Sequence, residues 1–386
     1  MLPSLPSHQG SCYSEVMMIR KSTALLAAVA LTIFTYLVAS ALPMSEALSA
    51  LPRDLSDTML LFTNWSQIKD NLGLENVTSG SPSDARIEFA RRCRQELSIA
   101  TAFGIDNMDT HADMWGWDAS DLDWEAQLVS SVLPPIYVLK LRGDFDFSLA
   151  AVGFTERGFV QTDSHGALLF SNSMDPGQPW LRTTELAILN TAYIADEQLM
   201  ILSSSPVALG QSLATWADSI AGLDEDPFAV AAVEHLGAVD SAILLRGLGE
   251  CIRFTPNPIL DLVGNLPTSE RIEKLRVSLQ QRELLVPYRA FGTGYEDVEG
   301  ARTGTIVFEY DSADLALLDM PARLLLAEEG MSTCYEAPIA ETYFSVHSCE
   351  VLDNAIVMSV TPVANQPIRL FRMMFYLDAV FAGCSM

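Results

Sequence analysis

The feature that most limits how this chain can fold is an order of elements that occurs twice. Asp57-Thr58-Met59-Leu60-Leu61-Phe62 and Asp240-Ser241-Ala242-Ile243-Leu244-Leu245 are each a polar lead-in to an apolar run of strand length. Further on, Ile136-Tyr137-Val138-Leu139-Lys140-Leu141 runs into Phe147 to Gly158, a helical stretch closed by glycine. Thr305-Ile306-Val307-Phe308-Glu309-Tyr310 runs into Ala313 to Gly330 in the same way.

Alternating segments after each glycine predict antiparallel strands. In the first half they are Phe159 to Asp163, Ala167 to Ser171, Ala187 to Ile194 and Gln198 to Ser203; in the second, Ser332 to Tyr335, Thr342 to His347 and Ala355 to Val360. Each half then enters a helix through a proline, where that residue is tolerated best. Pro206 opens Val207 to Ile220, and Pro367 opens Ile368 to Phe381. Identity between the halves is slight and strand–helix–strand is a common order, so the reading rests on element order alone.

The expectation is an α+β protein of two lobes with repeated element order, each an antiparallel sheet with packed helices. They cover 42–222 and 223–386, with Gly222 to Asp226 as an acidic linker ending in Pro227. A chain of 386 residues suits about two domains, and its 49% hydrophobic content is enough for a substantial core. Outside the repeat, Ser83 to Leu97 and Ser269 to Gln281 read as helices. Glu283 to Phe291 with Arg302 to Tyr310 reads as a hairpin around Gly292 and Gly294, which makes Gly292-Thr293-Gly294 a turn.

Ahead of the body, Arg20 and Lys21 precede an uncharged, mostly apolar run from Ser22 to Leu42 with a small-residue exit at Ala39-Ser40-Ala41. This is the plan of an export signal. The run is long for a cleaved signal core and sits at the upper edge, at the length of a spanning helix, so residues 1–41 are a signal peptide or a membrane anchor helix. Ala24 to Leu37 has no polar face, unlike a surface helix of a globular domain. Basic residues on its N-terminal side keep that end cytoplasmic and send the body across. The body is therefore expected outside the cytoplasm, secreted or anchored to the membrane by the N-terminal helix.

With 23 Lys and Arg against 49 Asp and Glu, the formal net charge is -26. That balance argues against nucleic acid as a partner, which needs concentrated positive charge. Five cysteines follow the leader, Cys93, Cys251, Cys334, Cys349 and Cys384, with no CxxC and no Cys/His zinc spacing. Cys334 and Cys349 flank a turn expected around Pro338, and facing strands there would bring them within disulfide distance.

The densest chemical cluster runs from Asp106 to Glu125, where acidic residues and His111 interleave with Trp115, Trp117 and Trp124. Crowded carboxylates repel unless something offsets them. Calcium would, with Asp113, Asp118, Asp121 and Asp123 as its ligands, although the spacing is not that of an EF-hand. Sugar binding, with indoles stacked on a ring, is a second reading. The third is structural: Ser120 and Asp123 have capping-box spacing, so the carboxylates would favour the start of a helix running to Val132. Within the first lobe this makes the segment a helical Asp/Trp-rich insertion. The last helix, from Ile368 to Phe381, is apolar nearly all round and must be buried, against its own sheet or against a second copy.

No GxSxG, HExxH, GxxxxGK[ST] or GxGxxG motif occurs. The function expected is that of a non-catalytic binding protein at the cell surface or in the periplasm, with no cofactor unless calcium. Its alternatives are a glycan-acting hydrolase outside the cytoplasm and a structural or assembly component that self-associates through the last helix.

Overall fold

The computed structural model describes residues 43–55, 58–96, 105, 108–164, 166–173, 186–246, 277, 285–332, 334–335, 337–375 and 378–383. The leader at 1–41, His165 and the helix expected over 269–281, Val277 apart, lie outside them. Among the described residues, no helix is long and apolar enough to cross a membrane.

Among the described residues, twelve strands form one antiparallel sheet. In chain order they are β1 (Thr58–Thr63), β2 (Leu122–Ser130), β3 (Ile136–Leu141), β4 (Val160–Ser164), β5 (Ala167–Ser171), β6 (Asn190–Ile194), β7 (Leu199–Ser203), β8 (Ser241–Arg246), β9 (Ala290–Val298), β10 (Ala301–Glu309), β11 (Phe344–Leu352) and β12 (Ala355–Pro362). Across the sheet the order is β11-β12-β10-β9-β8-β1-β2-β3-β7-β6-β5-β4. The two segments with matching polar lead-ins, β1 and β8, are neighbours at its middle, paired from Thr58↔Arg246 to Thr63↔Ser241. The sheet therefore runs on across the boundary expected at 222, and the lobes share it.

Alternation along β1 and β8 separates the faces. Leu60, Phe62, Ala242 and Leu244 enter one central core. It is covered by α1 (43–49), α6 (Pro206–Trp216) and α7 (Pro227–Leu236). Leu61, Ile243 and Leu245 face the other way, into a core of the second half closed by α8 (Ala313–Glu329), α9 (Ile339–Thr342) and α10 (Ile368–Phe375). Beside it on that face lies a core of the first half, under α2 (Trp65–Leu72), α3 (Ser83–Glu96), α4 (Met108–Trp115) and α5 (Phe147–Glu156).

Local chemistry sets these helix ends. Asn64 caps α2 by accepting from Gln67 N, and Gly73 closes it at φ 65. Ser205 and Asp226 cap α6 and α7, each followed by proline in the first turn. The expected linker is itself packed: Leu223 is buried, its N donates to Leu51 O, and Pro52 bridges Gly222.

Four expectations are corrected. The helix expected from Ser120 to Val132 is strand β2, because Trp124, Ala126 and Leu128 repeat at period two and bury in one core, while Leu122, before a register shift, enters the core on the other face. Among the described residues of the segment, α-helix is confined to α4, before Gly116. Gly292 and Gly294 lie inside β9, and the hairpin turns at Glu299-Gly300, where both φ are positive. Glycine is needed at 294 for close approach: a Cβ there would meet Val239 Cγ1 at 2.9 Å. The strand expected over Ser332 to Tyr335 is absent among the described residues; Cys334 sits in a turn, while β11 carries Cys349 and pairs with β12. No disulfide joins Cys334 and Cys349 among the described residues. The last helix is described over Ile368–Phe375, and a 3-10 turn over Val380–Ala382 stands where its last residues were expected. Its Leu370, Phe371, Met373 and Met374 are buried in the core of the second half, so the sheet of this chain occupies that face.

Candidate functional site

Helix α2 and the loop after it, with Asp123 of β2 and Arg142 and Asp144 after β3, wall a cleft of about 640 Å³. Its geometry starts at a 3-10 turn, Ala119–Asp121, where the chain leaves α4 and enters β2. Asp118 caps the turn, accepting from Ser120 N at 2.8 Å, and Asp121 Oδ2 accepts from Asp118 N at 3.2 Å. This is a capping box, one pair of residues earlier than the Ser120/Asp123 spacing suggested, and it closes a single turn. Arg86 of α3 stands 3.6 Å from Asp118, and Arg142 stands 3.3 Å from Asp121. Burial raises the Asp118 carboxyl to about 6, against the hydrogen bonds from Ser120.

Lys69 joins the helix to the turn. It lies on the buried side of α2 with Trp65 and Ile68, and Nζ donates to Ser120 O at 3.0 Å and Leu122 O at 2.9 Å. Burial holds its amine below the ordinary lysine value, with Asp123 and Asp121 pulling the other way. Asp123, at the start of β2, accepts from Ser66 Oγ at 3.0 Å. Both ends of α2 are held from the second half by Asp240, which is fully buried before β8. Its carbonyl accepts from Asn64 N at 2.8 Å, and its carboxyl accepts from Asn71 Nδ2 at 3.2 Å and Asp297 N at 3.0 Å. Burial pushes that carboxyl up to about 7, and the nearby Asp297 and Glu296 add to the effect.

The cleft wall carries four carboxylates, Asp70, Glu75, Asp123 and Asp144, and two cations, Lys69 and Arg142. Neither cation is free to answer a ligand anion: Lys69 serves two carbonyls, and Arg142 lies against Asp121 and Asp144. The potential in the cleft is therefore negative, which suits a positively charged ligand.

The expected calcium ligands do not converge on one point. Asp113 is exposed on α4, Asp118 faces Arg86, Asp121 faces Arg142, and Asp123 alone of the four lines the cleft. Among the described residues, no three His, Cys, Asp or Glu side chains converge as a metal group. The indoles of Trp115, Trp117 and Trp124 are at most 3% exposed and cannot stack on a sugar. Trp115 packs on Phe154 and Phe159, Trp117 meets the His111 ring edge-on, and Trp124 belongs to the core on the opposite face. His111 is buried, and burial lowers its pKa to about 3.

No protein-family model matches the chain, and no curated protein matches it in sequence. Among solved structures, crystal form I of TP0453 aligns at a TM-score of 0.40 and 9% identity, over 86% of this chain and 97% of that one. Crystal form III of the same protein aligns at 0.38 and 9% identity, over 85% and 96%. Likeness at this level establishes neither a common fold nor a common function.

Proposed function

We propose that the chain is an exported, non-catalytic binding protein whose cleft between α2 and the wall formed by Asp123, Arg142 and Asp144 takes a positively charged ligand. The observation that carries this reading is the composition of the cleft: its carboxylates outnumber its cations, and both cations are already engaged within the protein. The leader at 1–41 supports a location outside the cytoplasm. The hydrolase alternative draws no support from the indoles, which lie inside two cores.

Thermal shift of the purified protein tests the proposal, with spermidine, calcium and a panel of neutral glycans as probes. Spermidine is expected to raise Tm, and the Asp123→Asn/Asp144→Asn double variant to lose that rise. Stabilisation by neutral glycans alone, or a flat response to both cations, would overturn it.

We also propose that 42–222 and 223–386 are related halves. Support comes from the order outward from the middle of the sheet: β1, β2, β3 and then α5 on one side, β8, β9, β10 and then α8 on the other. Separately expressed halves that reassociate into the native sheet are the expected outcome, and halves that never pair count against it.

A further inference from the structure

The middle of the sheet carries a polar row on the face it shares with the two flanking cores. Register aligns Glu125 of β2, Thr63 of β1, Ser241 of β8 and Tyr295 of β9 directly across four strands. All four are completely buried, as is Thr293, two residues before Tyr295 on the same face of β9. On β1, β8 and β9 the residues further along this face are apolar, Leu61, Ile243, Leu245 and Phe291, while β2 continues with Gln127. Residues opposite one another lie about 5 Å apart at Cβ and diagonal neighbours about 7 Å, so Ser241, Thr293 and Tyr295 are near neighbours on this face, with the Tyr295 hydroxyl at the far end of its ring.

None of these three hydroxyls has a hydrogen-bond partner among the described residues. A hydroxyl offers one donor and two acceptor sites, and burying it unmatched carries its whole desolvation cost. Isolated exceptions are ordinary in folded proteins; three side by side on one sheet face are not. Carbon isosteres would satisfy the same packing: Phe371 of α10 meets the Tyr295 ring edge-on at 5.9 Å and would meet a phenylalanine equally well. Burial raises the Tyr295 phenol well above its ordinary value, so it stays a neutral donor beside two neutral hydroxyls.

We infer that this row is an internal binding site for a small uncharged hydroxylic guest, either water or a polyol, held by Ser241, Thr293 and Tyr295 where β8 and β9 pair. A guest with two to four such contacts satisfies the hydroxyls as a buried water does. The site is separate from the acidic cleft and does not depend on its function.

Thr293→Val and Tyr295→Phe in the full chain decide the matter through the sign of their effect, because each removes a hydroxyl and keeps the shape. If the hydroxyls hold a guest, each variant lowers Tm by roughly 1–3 °C, and the double variant loses less than the sum because one guest is shared. If either variant raises Tm or leaves it unchanged, or if the losses simply add, the inference fails. Native mass spectrometry separates the two sources. A mass excess present in the wild type and lost in the double variant identifies a polyol, and falling Tm with no mass difference identifies water.

Discussion

Replacing Asp240 by asparagine is expected to stabilise this protein in alkaline solution and not in acid. The carboxyl titrates at about 7 in the folded chain against an ordinary value of 3.8, chiefly through burial. Between those values the folded chain holds a proton that the unfolded chain has released, so stability falls as pH rises through this window. Three units at about 1.4 kcal/mol each put the cost of the buried charge near 4 kcal/mol above pH 7, as an upper bound. Asparagine carries no charge but gives up one acceptor oxygen, and the carboxyl accepts from both Asn71 and Asp297 N. That loss offsets about 1 kcal/mol. The net expectation is a gain of roughly 2–3 kcal/mol at pH 8 and a loss of about 1 kcal/mol at pH 4. Urea unfolding of wild type and variant at both pH values measures the difference, and other titrating groups, Asp118 among them, cancel because both proteins carry them. An equal difference at the two pH values, or destabilisation at pH 8, would refute the reasoning.

Three other perturbations have defined outcomes. Arg323→Met breaks a fully buried pair with Asp319 and strips donors from Phe381 O, Gly383 O and Val286 O; a loss of about 3–5 kcal/mol in urea unfolding is expected. Lys69→Met leaves Ser120 O and Leu122 O without their amine donor. It should cost about 2–4 kcal/mol, and hydrogen exchange should show faster opening of α2 and the 118–123 turn. His235 pairs with Glu309 at 2.8 Å, which raises its pKa, so the pair stabilises at low pH and the contribution disappears as pH rises through the folded value. His235→Gln should accordingly lower Tm at pH 5.5 and have little effect at pH 9.

Local pattern made many elements legible. β3 and β5 span the residues expected of them, and α5, α6 and α10 begin within one residue of their sequence signals. β2 misled because its acidic residues imitate a helix start, while Glu125 is buried at a position where alternation would place an exposed polar residue. Gly292 and Gly294 misled because glycine marks a close neighbour as readily as a turn, and α7 and Val239 lie far away in sequence. The carboxylates of the candidate site were visible as a run. Lys69, Arg86 and Arg142, which fix that run in place, come from separate elements, and only a lysine on the apolar side of α2 gave a local hint. The hydroxyl row could not be read at all, since it exists only through the register of β2, β1, β8 and β9.

The unbroken pairing of β1 with β8 decides how this molecule can move. Two-lobed binders often work as clamps, bending at a few linker residues so that the lobes close on a ligand. Here the line between the halves is a ladder of paired residues with a core on each face, and bending there would tear backbone hydrogen bonds between two buried strands. Capture of the proposed ligand would therefore proceed without closure of one half upon the other. Any rearrangement on binding is confined to the cleft's own wall, α2 and its neighbouring loops, and small-angle scattering should give the same overall dimensions with and without ligand.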